Sequence, residues 1–167
     1  MNIGFSLKGM IIFALPMVVN IAYCLLPPKD EVDDKKGGGF AERIEQASRI
    51  IFMLLICFLV PERERDFTSP LFYASLVFLV LYHVVWMRYF LCGRKCALLT
   101  ESFLFIPIPL AVFPVLYYFL ASLWLGNYPA AAVMALFGIS HYLVSKRQYE
   151  ILSADISHIF CTPDDGG

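Results

Sequence analysis

Residues 102–145 read SFLFIPIPLAVFPVLYYFLASLWLGNYPAAAVMALFGISHYLVS, 44 positions without one Asp, Glu, Lys or Arg. Laid out as one straight helix, such a run is about 66 Å long at 1.5 Å per residue. The hydrocarbon core of a bilayer is only about 30 Å thick, so in a membrane the run crosses twice. Its fold-back point is Gly126-Asn127-Tyr128-Pro129, where glycine and asparagine close one helix and proline opens the next.

The rest of the chain has the same character. Of 167 residues, 59% are hydrophobic and 16% charged. Soluble domains carry about 25% charge, so this chain cannot clothe a water-facing surface of its length. Residues 9–26, GMIIFALPMVVNIAYCLL, form a first apolar segment closed by Pro27-Pro28, and residues 70–91, PLFYASLVFLVLYHVVWMRYFL, form a third. Between them, residues 43–60 start as RIEQASR and end as IIFMLLICFLV. The apolar half alone is shorter than the roughly 20 residues of a span. It becomes a crossing once the preceding turn is added, where Glu45 and Arg49 stand at i,i+4 ion-pair spacing. The last two segments are 103–125 and 129–145. The expected fold is all-α, a polytopic bundle of five transmembrane helices, or four if the second segment is only interfacial. Continuous rather than alternating apolar runs argue against a β-barrel.

Five crossings put Lys29, Lys35, Lys36, Arg43, Arg49, Arg88, Arg94, Lys95, Lys146 and Arg147 on one side, and Lys8, Arg63 and Arg65 on the other. The positive-inside rule then places the amino terminus outside a plasma membrane and the carboxyl tail in the cytoplasm. Lys8 before an apolar stretch has the look of a signal peptide. No small-x-small cleavage site follows it, and Tyr23 stands before Cys24 where a lipoprotein signal needs a small residue, so the first helix is expected to stay. The balance of 13 Lys+Arg against 14 Asp+Glu argues against a nucleic-acid partner. Cys24, Cys57, Cys92, Cys96 and Cys161 are odd in number, and Cys92 and Cys96 lack the C-x2-C spacing. Neither a disulfide framework nor a zinc site is expected of them. Cys92 and Cys96 read either as plain interfacial residues or as a juxtamembrane acylation signal.

Polar groups inside an apolar bundle are the default functional candidates. Asn20, Glu45, Arg49, His83, Glu101 and His141 are each placed, on segment counting, in the inner third of the membrane. One reading is a shared cluster, a solute or proton site opening toward the cytoplasm. The other is polar side chains snorkelling to water at the interface. Ser140 and His141 are adjacent and diverge by about 100° on a helix, so they do not form a nucleophile and base. H-E-x-x-H, P-loop and G-x-S-x-G motifs are missing, and no Asp lies in a span, so an enzyme is not expected. Pro107, Pro109 and Pro114 predict a fourth helix that is kinked or begins late. Ala130, Ala131, Ala132, Ala135 and Gly138 give the fifth a small-residue packing face. Residues 30–39, DEVDDKKGGG, read as a flexible linker, and 151–167 as a cytoplasmic amphipathic tail with Ile151, Leu152, Ile156, Ile159 and Phe160 on one face.

The opening, with Pro16 and Asn20 leading to Leu26-Pro27-Pro28-Lys29 and then to Glu42-Arg43-Ile44, resembles a group of small uncharacterised bacterial multi-pass membrane proteins over the first third of the chain. The resemblance implies a bacterial inner membrane and no established activity. The expected function is a non-enzymatic accessory, sensor or binding subunit. Its alternatives are a transporter or channel subunit with a polar site near the cytoplasmic face, and a haem- or metal-binding protein using His83 and His141. No cofactor is expected; the partners are the lipid bilayer and another membrane protein or a second copy of the chain.

Overall fold

Ser6 starts the first helix: its hydroxyl accepts a hydrogen bond from Gly9 N at 3.1 Å, and α1 runs Leu7–Leu25. In α2, Phe40–Phe58, the Glu42 carboxylate reaches back to Gly39 N at 3.0 Å. Pro70 opens α3, Pro70–Leu91, without losing a needed donor. A single turn, α4, covers Ala97–Thr100; then follow α5, Pro109–Leu125, and α6, Tyr128–Cys161. The computed structural model describes residues 1–29, 39–62, 66–95, 97–103 and 105–161. Residues 30–38 of the expected linker, Arg63, Arg65, Cys96 and 162–167 lie outside the described residues, as do the side chains on which the amphipathic tail face rests.

Among the described residues the elements are helices, apart from a two-residue antiparallel pair, β1 (Asn2–Ile3) on β2 (Leu59–Val60), and an isolated bridge between Phe103 and Ile106. That pair brings the start of α1 to the end of α2. Trp124 Nε1 donates to Asp66 O at 3.1 Å, which joins the end of α5 to the same end of the bundle. At the other end, Lys29 N donates to Arg94 O at 3.0 Å and ties the exits of α1 and α3. The five long helices therefore alternate in direction. Their extensive interfaces are α3 on α5, α5 on α6 and α6 on α2, while α1 closes the ring against α2, α3 and α5.

The apolar residues are distributed unevenly. Leu15, Val18 and Ile21 of α1, Ile50 and Leu54 of α2, Val77, Val80 and Val84 of α3, and Leu136, Ile139 and Leu143 of α6 are all exposed. No residue of α5 is. A helix that is apolar all round belongs inside, and α5 is the one the others sheathe. By length and composition α1, α3 and the Tyr128–Arg147 part of α6 suffice to cross a membrane. They mark the chain as a membrane protein.

Three hydrogen-bonding devices hold the sheath to its core. Pro16 has no N–H, so the Ile12 carbonyl loses its intrahelical donor. Tyr117 of α5 donates to Ile12 O at 3.0 Å, and its neighbour Tyr118 donates to Phe13 O at 2.9 Å. At the fold-back, Gly126 takes a left-handed φ of 75° and Asn127 is fully buried. Its carbonyl oxygen accepts from Ala130 N at 3.1 Å to cap α6, and its amide donates to Leu55 O and Leu59 O at 2.9 and 3.0 Å, at the end of α2. The same end of α2 accepts Ser6 N at Cys57 O and Gly4 N at Phe58 O. There α1 comes so close that a Cβ on Gly9 would stand 1.8 Å from Ile56 O.

Several expected boundaries shift. The helix expected over 103–125 starts at Pro109, because Pro107 and Pro109 disfavour helical geometry before them and Ile108 sits at a left-handed φ of 54°. The helix expected over 129–145 does not stop there. No Gly or Pro interrupts 139–161, and α6 runs unbroken into the tail. The 43–60 segment is helical over Phe40–Phe58 and ends in β2. Of the small residues, Ala130 and Ala131 are buried, while Ala132 and Ala135 face outward and do not pack.

Tyr117→Phe should lower stability in detergent by about 1–3 kcal/mol, since it strands a buried carbonyl. In a Pro16→Ala background, where Ile12 O regains an intrahelical donor, that cost should largely vanish. Thermal unfolding of the four proteins in the cycle measures it.

Candidate functional site

The inward face of α2 carries Glu45, Ser48, Phe52 and Ile56 at helical three- and four-residue spacing, all buried. A carboxylate in that row is unusual. Glu45 is 7% exposed, and burying its charge is costly unless donors meet it. Two do, on one oxygen. Arg49 Nη2 donates to Glu45 Oε1 at 2.6 Å from one turn along α2, and His141 Nδ1 of α6 lies 3.2 Å from the same atom. For that bond His141 must carry its proton on Nδ1.

Phe137 completes the set. The His141 ring stacks on it one turn away, with centroids 5.1 Å apart and planes at 18°, and Arg49 Cζ stands 5.6 Å from the Phe137 centroid. Each helix thus gives one aromatic or cationic group and one hydrogen-bonding group. Arg49 is half-exposed, with its guanidinium on Glu45 and over the Phe137 ring. Ser48 keeps its hydroxyl on its own helix, donating to Ile44 O at 2.6 Å. Chemically the arrangement is a buried carboxylate shared between a permanent cation and an imidazole, suited to locking two helices or to holding a proton.

The other expected members of the cluster are elsewhere. Asn20 accepts from Tyr82 OH at 2.7 Å and joins α1 to α3. His83 places Nδ1 2.8 Å from Leu79 O of its own helix, with its ring edge-on to Tyr82. Glu101 pairs with Arg88 at the exit of α3. With α5 between α3 and α6, the structure does not bring His83 to His141, and among the described residues no three His, Cys, Asp or Glu side chains converge on a metal position. The six residues share an end of the bundle but not a centre. Helix rotation divides them into four contacts.

Sequence reasoning missed the deepest polar partners, Tyr117, Tyr118 and the amide of Asn127. A signal for the first was available, since Pro16 in an apolar helix leaves a carbonyl that some donor must meet. At the same end as Glu45, a cleft of about 290 Å³ opens between the Glu101–Ile108 segment and the α6 face carrying Tyr142, Lys146, Tyr149 and Glu150. The chain matches no protein-family model, no curated protein and no solved structure.

A double-mutant cycle on Glu45→Gln and His141→Ala should show a coupling of about 1 kcal/mol in unfolding free energy. The pair Asn20→Ala and His141→Ala should be additive within about 0.5 kcal/mol. Equal coupling in both cycles would mean that the contacts form one network.

Proposed function

We propose that this chain is a five-span helical protein of the cytoplasmic membrane, amino terminus outside and carboxyl tail inside, that works by binding as an accessory or sensor subunit rather than by catalysis. The observation that carries this reading is the contrast between α5 and its sheath. At 17 residues α5 extends about 26 Å, short for a lone span, yet none of its residues is exposed, and helices flanking it on every side present apolar side chains outward. In α2 that outward face begins after Arg49 with Ile50, Ile51, Met53, Leu54 and Phe58, which supports a crossing over its apolar half.

Orientation is supported by charge. Lys29, Arg43, Arg88, Arg94, Lys95, Lys146 and Arg147 lie at the end where α1 and α3 exit, and Lys8 lies at the other. The binding role is supported by how the interior polar groups are used. Asn20, Glu45, Tyr117, Tyr118 and Asn127 hold one helix to another, so recognition falls to the surface and to the cytoplasmic end. One observation favours the transporter reading: Glu45 is a buried carboxylate bonded to an imidazole, the pairing used to pass protons.

Reporter fusions after residue 34 and at the tail are expected to report the cytoplasm, and one after residue 64 the opposite side. Proteoliposomes are expected to show no proton or cation flux above protein-free vesicles. A flux abolished by Glu45→Gln would move the protein to the transporter class.

A further inference from the structure

We propose that the joined exits of α1 and α3 bind the phosphate of an anionic phospholipid, a diester without an ammonium group, on Lys29, Arg94 and Lys95. The proposal rests on the membrane reading above and holds for either direction of the bundle. Two spans end here. By length and composition α1 and α3 suffice to cross a membrane, they close at Leu25 and Leu91, and the first cations past those ends are Lys29 and Arg94. Just inside them Tyr23 of α1 stands against Trp86 and Tyr89 of α3, with ring centroids 5.3 and 5.8 Å apart. Tyrosine and tryptophan collect at headgroup level, so these exits open where lipid phosphates lie.

Backbone contacts bring the two exits to one spot. Lys29 N donates to Arg94 O at 3.0 Å, and Tyr89 Oη donates to Leu26 O at 3.3 Å. Arg94 is itself fixed at a left-handed φ of 57°, behind Gly93 at 91°, with its N–H on Tyr89 O at 3.1 Å. That conformation is costly for a residue with a side chain, and strain of this kind is kept at ligand clamps. Glycine would take it freely, yet arginine stands there, whose guanidinium is the bidentate partner of a phosphate. Charge sets the spot apart from other cations of this end. Arg88 is paired with Glu101 and Lys146 with Glu150, whereas Lys29, Arg94 and Lys95 make no side-chain ion pair among the described residues. Three positive charges at one spot call for an anion, and a headgroup that carries its own ammonium gains less from them. Leu25 and Leu91, each within four residues of a cation, are exposed and give acyl chains an apolar surface, which favours a lipid over a soluble phosphate diester. The competing occupant is the acidic stretch 30–34, DEVDD, which follows Lys29 outside the described residues.

The test is native mass spectrometry of the full chain in maltoside detergent, titrated with phosphatidylglycerol and phosphatidylcholine. Retention of phosphatidylglycerol should exceed that of phosphatidylcholine about tenfold, and Lys29→Gln, Arg94→Gly and Lys95→Gln together should erase most of that preference. Arg94→Gly keeps the turn and both lysines are exposed, so an unchanged melting temperature verifies the fold. Arg43→Gln with Arg147→Gln, two cations of the same end on α2 and α6, should leave the preference within about twofold. Equal retention of the two lipids, a preference that survives the triple variant, or an equal loss in the Arg43 and Arg147 pair overturns the proposal. Glycerophosphoglycerol at the concentration of the lipid should fail to displace it; displacement would make a soluble diester the ligand and overturn the lipid. Amide replacements at Asp30, Glu31, Asp33 and Asp34 should leave the preference in place, and a preference seen only in that variant would mean that the acidic stretch fills the spot. Recovery of the chain in solution without detergent would sink the membrane reading itself. Lost selectivity in a chain that still needs detergent would sink the headgroup site alone.

Discussion

Pro16 strands the carbonyl of Ile12 in the middle of an apolar helix, and the hydroxyl of Tyr117 meets it at 3.0 Å. In hydrocarbon no water can take that place, and each unsatisfied backbone group costs several kcal/mol. The bond therefore fixes more than a local detail. It sets the depth of α5 against α1 and turns the Tyr117–Tyr118 face toward it, with Tyr118 on Phe13 O as the second point. A helix pinned at two points on one face has no rotational freedom left, and the opposite faces of α5 are then available to α3 and α6.

Asn127 performs the same task at the fold-back. One buried amide caps α6 and takes two carbonyls at the end of α2, so the turn between α5 and α6 also terminates a helix distant in sequence. With Ser6 N and Gly4 N on neighbouring carbonyls, the end of α2 is closed by the chain itself rather than by water. Gly9 permits this, because any side chain there would drive α1 off the α2 backbone. The polar groups of the interior are in this sense joints.

The Glu45–Arg49–His141 contact is the joint of the other end. Its i,i+4 half was legible in the spacing of Glu45 and Arg49, which needs only a helix. Its other half was not, because α2 and α6 are separated by 96 positions between Glu45 and His141 and nothing local reports their facing. His83 illustrates the converse. Counting put it near His141 in depth, yet it is bonded to its own helix, and α5 stands between. Depth follows from sequence position along a helix; azimuth does not.

By itself the sequence determined the helical class, the apolar segments, the turn at Gly126-Asn127 and the end of the bundle at which the charges of the described residues lie. These follow from where charge and proline are absent or present along the chain. Only the tertiary structure decided that α5 is the covered helix, that α6 continues past the expected tail boundary as one helix, and that six polar residues at one end form four separate contacts. The physical reason is that a helix apolar on every face carries no periodic signal for its rotation. Its orientation is set by a few hydrogen bonds and close approaches, Tyr117 to Ile12, Asn127 to Leu55, Gly9 to Ile56, that exist only once the helices have met.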